Sequence, residues 1–572
     1  MEFITTLIKT ITSFVESYIV PPQLLIYALL GTGLFLTLRL GFIQLIRLKH
    51  GIDVTSGKYD DPDETGDVSH FQALTTALSA TVGVGNIAGV AVAIHWGGPG
   101  ALFWMWMTAF FGMAVKYSEV TLSLKYRQID ENAAAHQGVV AGGPMYYIEH
   151  GLSEVYPAAK ALWKPLAIFF ALGLMLTSFL TGNAIQANTL ADQVESNFGI
   201  SPMISGGLSA VFVAIIIFGG IRRIGKVTSV LAPLMAILYV ASALIILAMN
   251  FGEIPAAFAT IVTEAFNPTA GVAGTGAGVF MSTLMWGVKR GLFSNEAGQG
   301  SAPIAHAAAK TEEPVSEGVV ALLEPFIDTL IICTITGLVL ITTGVWNDKH
   351  PTELLLSSGD VTYLPLDSEG RARPSASYNL ITGDAPATIT VVDGEPQYAT
   401  EDTVLAWHDV RVDRFFVDEA QTIPFVGEIL PSQKKAVATD GTSYTALYGN
   451  AVENSAPLTA KAFGKGLGRF GEWVVLLCVV LFALSTAISW SYYGDRCANY
   501  VFGASAIIPF KVIYILFHFI GAVSSLNVIW NFGDVALSLV TMPNLLALLL
   551  LSGVVWKSTK TYFEKEPWRN DD

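Results

Sequence analysis

Charge is scarce in this 572-residue chain. Asp, Glu, Lys and Arg make up only 14% of it, while 52% of its residues are apolar; ordinary soluble domains are ~25% charged. That deficit excludes a soluble globular protein and marks a polytopic membrane protein. Cysteine is scarcer still. Cys333, Cys478 and Cys497 are the three present, all in or beside apolar runs, too few and too buried for a disulfide framework. No phosphate loop of the P-loop type, no HExxH and no CxxC pair occurs, so the chain reads as a non-enzyme. The nine histidines are scattered, and His95 and His306, near span ends, read as interfacial residues rather than metal ligands. The formal net charge of -15 argues against nucleic acid as a partner; most of the net negative charge sits in one late polar segment. No cleavable leader is expected at Met1-Glu2-Phe3, which has no basic n-region and no small-residue cleavage site after it.

What the chain has in abundance is long apolar runs. A membrane span needs ~20 mostly apolar residues, and about eleven runs approach or exceed that: 23–44, 70–95, 101–124, 164–190, 203–219, 227–250, 276–306, 318–345, 470–492, 506–525 and 528–555. Residues 4–20, which mix apolar residues with Lys9 and Glu16, read as a short interfacial helix ended by Pro21-Pro22. Basic residues follow the alternation of the spans. Arg47, Lys49 and His50 come after the first, Lys125 and Arg127 after the third, and Lys160 and Lys164 before the fourth. Arg222, Arg223 and Lys226 join the fifth and sixth, Lys310 follows the seventh, Arg496 the ninth, and Lys557, Lys560, Lys565 and Arg569 the last. Positive residues stay on the cytoplasmic side, so the N-terminus is expected outside and the C-terminus in the cytoplasm of a multi-pass protein of a bacterial cytoplasmic (inner) membrane.

Two of these runs are interrupted. The second carries Ser79-Ala80-Thr81-Val82-Gly83-Val84-Gly85-Asn86-Ile87-Ala88-Gly89, with three glycines and an asparagine in seven positions. Each glycine costs roughly 1 kcal/mol in a helix interior relative to alanine. Unwound backbone at membrane depth is tolerable only where it is buried in protein or lines a wet cavity. The plainer reading is a small-residue patch for close helix packing. The seventh run tips the balance. It reads Met281-Ser282-Thr283-Leu284-Met285-Trp286-Gly287-Val288-Lys289-Arg290-Gly291-Leu292-Phe293-Ser294-Asn295-Glu296-Ala297-Gly298-Gln299-Gly300 and opens a second group of five spans as the second run opens the first. Paired interrupted segments at matching places in two halves point to a binding site between inverted repeats. Arg290, Glu296, Glu324 and Asp328 fall inside apolar runs and are expected to pair with one another, since intramembrane ions are costly.

Between the eighth and ninth spans, residues 347–458 are polar and acidic. Short runs at 388–392, 404–407 and 415–417, separated by turn signals such as Asp393-Gly394 and Asp440-Gly441, read as a small β-rich domain on the outer face. The expected division is therefore 1–345 and 461–572 for the two parts of the membrane domain and 346–460 for the extracytoplasmic insert.

Four motifs are familiar together. Gly83-Val84-Gly85-Asn86-Ile87-Ala88-Gly89-Val90-Ala91, Gly97-Gly98-Pro99-Gly100-Ala101-Leu102-Phe103-Trp104-Met105-Trp106, Gly142-Gly143-Pro144-Met145-Tyr146-Tyr147-Ile148 and Arg290-Gly291-Leu292-Phe293-Ser294-Asn295-Glu296-Ala297-Gly298 closely resemble the alanine or glycine:cation symporter family. The likeness covers about 20–345 and 465–555, and the insert is longer than the family leads one to expect. The resemblance implies an all-α leucine-transporter-type inverted-repeat fold with one extra N-terminal helix, and sodium-driven import of small neutral amino acids such as alanine and glycine by alternating access. It also implies that Gln186, in the amide-rich turn 182–188, and Asn295 touch the amino acid, and that sodium (Na+) lies between the hydroxyls of Ser485 and Thr486 and the carbonyls at Ser79 and Val82.

The chemistry of a zwitterion agrees. Amides at Gly83, Val84 and Gly85 open a half-helix and suit a carboxylate; carbonyls at Gly291, Leu292 and Phe293 suit an ammonium. Trp286 and Phe293 are expected to cap a small pocket, and Asn86 to meet either the substrate or a second ion. Ser485 and Thr486 could instead bond their own helix, and Gln186 could be an interhelical hydrogen bond. Two functional alternatives stay open: a proton-coupled or other-substrate carrier on the same fold, and a passive channel or a sensor whose insert binds ligand.

Overall fold

The computed structural model of the protein describes residues 22–61, 63–129, 140–268, 277–356, 361–365, 388–397, 403–407, 410–524 and 526–569. The interfacial helix expected at 4–20 lies outside the described residues. The main helices, with the short ones needed below, are α1 (Pro22–Arg39), α2 (His70–Thr81), α3 (Val90–Gly97), α4 (Ala101–Lys125), α5 (Lys160–Phe179), α6 (Ile185–Phe198), α7 (Pro202–Ile217), α8 (Gly220–Met249), α9 (Ala277–Asn295), α10 (Ala302–His306), α11 (Pro314–Ala321), α12 (Thr334–Thr343), α13 (Arg469–Phe502), α14 (Ile507–Val523) and α15 (Leu526–Lys565).

Among the described residues, six helical stretches are long and apolar enough to cross a membrane, and seven if the bent pair α2 and Gly85–Gly97 is one span. The protein is therefore a polytopic membrane protein. The shortfall from eleven has physical causes. Helix α7 has 16 residues and α1 has 18, fewer than the ~20 of a straight span. Helix α4 carries Lys116, Glu119 and Lys125, and α9 carries Lys289 and Arg290.

The first interruption is built by side chains as much as by glycine. A capping box starts α2: Gln72 N donates to Ser69 Oγ at 3.3 Å and Ser69 N to Gln72 Oε1 at 3.2 Å. The helix stops at Val82, whose ψ of 93° is extended. Three residues past Gly83, Asn86 reaches back and accepts the Gly83 N–H at 2.8 Å, restarting the chain as a π-helical turn, Gly85–Gly89, that runs into α3. The two halves are bent by 52°. Glycine is needed at position 83 for close approach, because a Cβ there would stand 2.8 Å from Thr486 Oγ1.

The second interruption falls later than expected. Helix α9 is continuous through Gly287 and Gly291 and ends at Asn295. Those two glycines serve packing: a Cβ on Gly287 would lie 2.4 Å from the Ala101 carbonyl oxygen, and one on Gly291 3.0 Å from Thr108 Cβ. The break is the turn 296–301, where Glu296, Gly298 and Gly300 all have left-handed backbone (φ 54°, 91° and 77°).

The buried charges do not pair as expected. Glu324 accepts from Lys116 Nζ at 2.9 Å. His306 Nδ1 lies 2.5 Å from Glu317 Oε1, and its Nε2 3.7 Å from Glu324 Oε2. Glu317 is also hydrogen-bonded to His70 Nδ1. No side chain in this series exceeds 4% exposure. His306 is thus a fully buried link rather than an interfacial residue, and His95 is likewise buried. Asp328 takes hydrogen bonds from Asn86 Nδ2 (2.6 Å), Ser294 Oγ (2.7 Å) and Thr329 Oγ1 (2.6 Å). Arg290 lies over the rings of Trp286 and Phe293. The series ties the start of α2 to α11 and α4.

Past α12 the described residues form strands until the helix Ser455–Leu467. One antiparallel sheet has the order Ser443–Tyr444, Lys435–Ala438, Gly427–Leu430, Ile389–Val392, Glu395–Gln397. Asp393 and Gly394, both at positive φ, turn the chain between its last two strands, as a tight hairpin requires. Leu354, Val391, Phe415, Phe425 and Leu447 belong to a hydrophobic cluster separate from the helical core.

Removing one partner of a buried ion pair costs about 3–5 kcal/mol. Lys116→Met is therefore expected to lower the melting temperature in detergent markedly, and Lys116→Met combined with Glu324→Gln to recover much of the loss. Additive losses in the double variant would contradict the pairing.

Candidate functional site

Between the two interruptions lies a cavity enclosing about 320 Å³ of empty space, counting the part open to solvent. Its walls come from five places. The first break supplies Ala80, Thr81, Gly83, Val84 and Gly85; α9 and the following turn supply Phe293, Glu296 and Gln299. Thr181, from a π-helical turn over Leu180–Ala184, and Gln186, at the start of α6, form a third side. Thr486 and Trp490, one turn apart on α13, and Leu537 on α15 close it.

Polar capacity is left over in these walls. Gln186 donates Nε2 to the Thr181 carbonyl at 3.2 Å, but Gln186 Oε1 has no protein partner. Gln299 donates Nε2 to the Leu292 carbonyl at 2.8 Å, and its Oε1 is also without one, as is Thr181 Oγ1. Buried polar atoms are normally satisfied, so three orphans around one hollow describe a place for a polar guest. The amides of Val84 and Gly85 fall in the first turn after the break, where a helix has no acceptor of its own to offer.

Next to the cavity, behind Thr486, four oxygens converge. Ser485 Oγ and Thr486 Oγ1 each lie 3.2 Å from the Ser79 carbonyl, and Thr486 Oγ1 also lies 3.2 Å from that of Ala80. Ser79 Oγ is buried with no partner. Neutral hydroxyl and carbonyl oxygens with a spare hydroxyl fit a monovalent hard cation.

The expected residues divide cleanly. Gly83, Val84, Gly85, Gln186 and Phe293 line the cavity, and Thr486 joins it to the oxygen cluster. Val82 stands at the break as the α2 terminus. Trp286 does not line the cavity; it stacks on Trp96 with ring centroids 6.1 Å apart. Gly291 is a packing glycine, and the Leu292 carbonyl already accepts Glu296 N at 2.9 Å and Gln299 Nε2. Asn295 is turned away, bonded to Thr329 Oγ1 (3.3 Å) and Ala297 N (3.0 Å). Asn86 is held by Asp328 and Ser294.

Sequence reasoning missed Thr181, Glu296, Gln299, Trp490, Leu537 and the Ala80 carbonyl. Trp490 was within reach, because residues four apart share a helix face and Thr486 was already singled out. Glu296 and Gln299 stand in the quoted motif, but only the left-handed turn aims them inward.

Two broken helices meeting around a polar pocket inside a helical membrane protein define a secondary transporter. The chain belongs to the sodium:alanine symporter family, which matches residues 1–362 and 437–571. It is 40% identical to the sodium/alanine symporter AgcS of Methanococcus maripaludis, over 99% of this chain and 98% of that one. An uncharacterized transporter of Haemophilus influenzae is 36% identical, over 98% and 97% of the two chains. The amino-acid carrier protein AlsT of Bacillus subtilis is 37% identical over 59% of this chain and 67% of its own. The protein is a cation-coupled amino-acid transporter, not an enzyme. The unmatched stretch 363–436 falls among the strands.

Overpacking costs about 1–3 kcal/mol. Gly83→Ala, whose methyl would press on Thr486, is expected to cut uptake by roughly tenfold. Gly31→Ala on α1, with nothing within 4 Å of the added methyl, should leave it unchanged. Equal uptake by the two variants would show that the break tolerates filling.

Proposed function

We propose that the protein imports small neutral amino acids, alanine and glycine among them, together with sodium, by alternating access on a leucine-transporter-type inverted-repeat fold of about eleven spans. The observation that carries this reading is the double membership of Thr486. Its hydroxyl reaches the Ser79 and Ala80 carbonyls at the end of α2, and its side chain also borders the cavity. A sodium ion bound by Ser79, Val82, Ser485 and Thr486, with the Ala80 carbonyl added, would fix the end of α2 against α13. That fixes Gly83, Val84 and Gly85, which hold the substrate carboxylate. The ion and the amino acid are then coupled through one stretch of backbone.

Gln186 and Gln299 offer unpaired acceptors to the guest, and the rings of Phe293 and Trp490 limit its side chain. Asn86, Trp286, Gly291, Leu292 and Asn295 support the pocket from behind. One sodium ion crossing ~100 mV supplies about 2.3 kcal/mol before any concentration term. Residues 1–345 and 461–572 form the transport domain, and 346–460 an extracytoplasmic insert. The protein works in the cytoplasmic membrane with its N-terminus outside.

In proteoliposomes, replacing sodium by choline is expected to abolish concentrative alanine uptake, whereas a protonophore with the sodium gradient clamped should not. Uptake that survives choline and collapses with the protonophore would make the carrier proton-coupled. Thr486→Val should raise the half-saturating sodium concentration by roughly tenfold, the worth of a lost buried hydrogen-bonding group. Gln186→Ala should instead raise the KM for alanine. If both variants behaved as wild type, the assignment of the pocket would be wrong.

A further inference from the structure

A zwitterion in a low-dielectric pocket needs a counter-charge for its ammonium, or at least a set of uncommitted oxygens. The carbonyls expected for that task are largely engaged, since α9 continues past Gly291 and the Leu292 oxygen takes two donors. The chain supplies a carboxylate instead. Glu296 is the one ionisable side chain among the described residues that line the cavity, and it is only 3% exposed. It directly follows the C-terminus of α9, where the helix dipole also favours positive charge. Its backbone is left-handed (φ 54°), a conformation that is costly for a residue with a Cβ and that turns the carboxylate toward the hollow.

Both oxygens are steered. Trp490 Nε1 donates to Oε1 at 3.0 Å, and Ser301 Oγ to Oε2 at 2.5 Å. A carboxylate offers about four acceptor sites, so two donors leave room for more. No Lys, Arg or His among the described residues forms an ion pair with Glu296. The buried amine of α4, Lys116, is engaged with Glu324. Lys116 therefore acts on Glu296 only from a distance; a buried carboxylate without a direct ion-pair partner is expensive, and a guest bearing an ammonium would relieve it.

We propose that Glu296 is the ammonium-binding group of the substrate site, oriented by Trp490 and Ser301. This rests on the reading of the cavity as an amino-acid site and sharpens it. With the substrate carboxylate on the amides of Val84 and Gly85 and the ammonium on Glu296, the transporter selects for a free α-ammonium. A 2-hydroxy acid of the same shape offers no charge to Glu296, and an N-acylated amino acid offers neither charge nor room.

The test uses the full chain in proteoliposomes under a sodium gradient, with labelled alanine as substrate and lactate and N-acetylalanine as competitors. Wild-type alanine uptake judges the amino-acid reading, and its absence sinks that reading and this proposal together. Given uptake, neither competitor should inhibit the wild type at concentrations where unlabelled alanine does. Inhibition by lactate comparable to that by alanine overturns the proposal without needing any variant. Glu296→Gln should raise the KM for alanine roughly thirtyfold or more, the loss expected when a buried charge pair is cut. It should narrow the preference for alanine over lactate by a similar factor and leave the half-saturating sodium concentration in place. Glu296→Asp, which keeps the charge, should recover part of the preference. Trp490→Phe removes a steering donor but not the charge, so it should keep the preference. An unchanged alanine-to-lactate ratio in Glu296→Gln makes the residue structural. A shift in sodium dependence with the ratio intact assigns it to the cation. Either result overturns the proposal.

Discussion

A hydrocarbon medium offers no partner to an unpaired N–H or C=O, so every interrupted helix in this protein must find its partners in other parts of the chain. The Ser79 carbonyl is where that demand is met beside the cavity. It is reached by two hydroxyls of α13, while Asn86 takes the first amide of the following half-helix. The break is therefore a constructed junction. Its glycines allow close approach, its asparagine restarts the helix, and its carbonyls are presented to a neighbour with matching hydroxyls. The hollow follows from that junction, because a chain that stops and restarts with a 52° bend cannot fill the space inside the angle.

How much of this could be read in the residues differs between the two breaks. Three glycines and an asparagine in seven positions announced the first, and the cavity wall runs through two of the glycines, Gly83 and Gly85. The second was placed a turn too early. Glycine at 287 and 291 and glycine at 298 and 300 look alike on paper, yet the first pair lets α4 approach and the second adopts left-handed backbone. Only the neighbouring helix distinguishes the two uses. Asn295 came into the pocket by resemblance, and its neighbour Glu296 lines the cavity instead. Membrane character was legible from composition alone, but counting spans was not, since α4 and α9 carry charges that other helices neutralise or cover. Pairing among those charges was illegible for a similar reason: Lys116 meets Glu324, and His70 meets Glu317, across more than two hundred residues of chain.

The strand region follows ordinary hairpin rules. Asp393-Gly394 turns where it was expected to, and Ile389 and Val391 face inward while Thr390 and Val392 face out. Its hydrophobic cluster is separate from that of the helices, so the alternation is set by local packing and shows plainly in the residues.

The series from His70 through Glu317, His306 and Glu324 to Lys116 carries a consequence for sequence drift. Each member touches the next in a space closed to water, so a neutralising change at one position strands the charge of its neighbour. Such a string can drift only by concerted exchange. Among relatives, an apolar residue in place of Lys116 should arrive together with an amide or apolar residue at 324, and the histidines should come and go with the acid at 317.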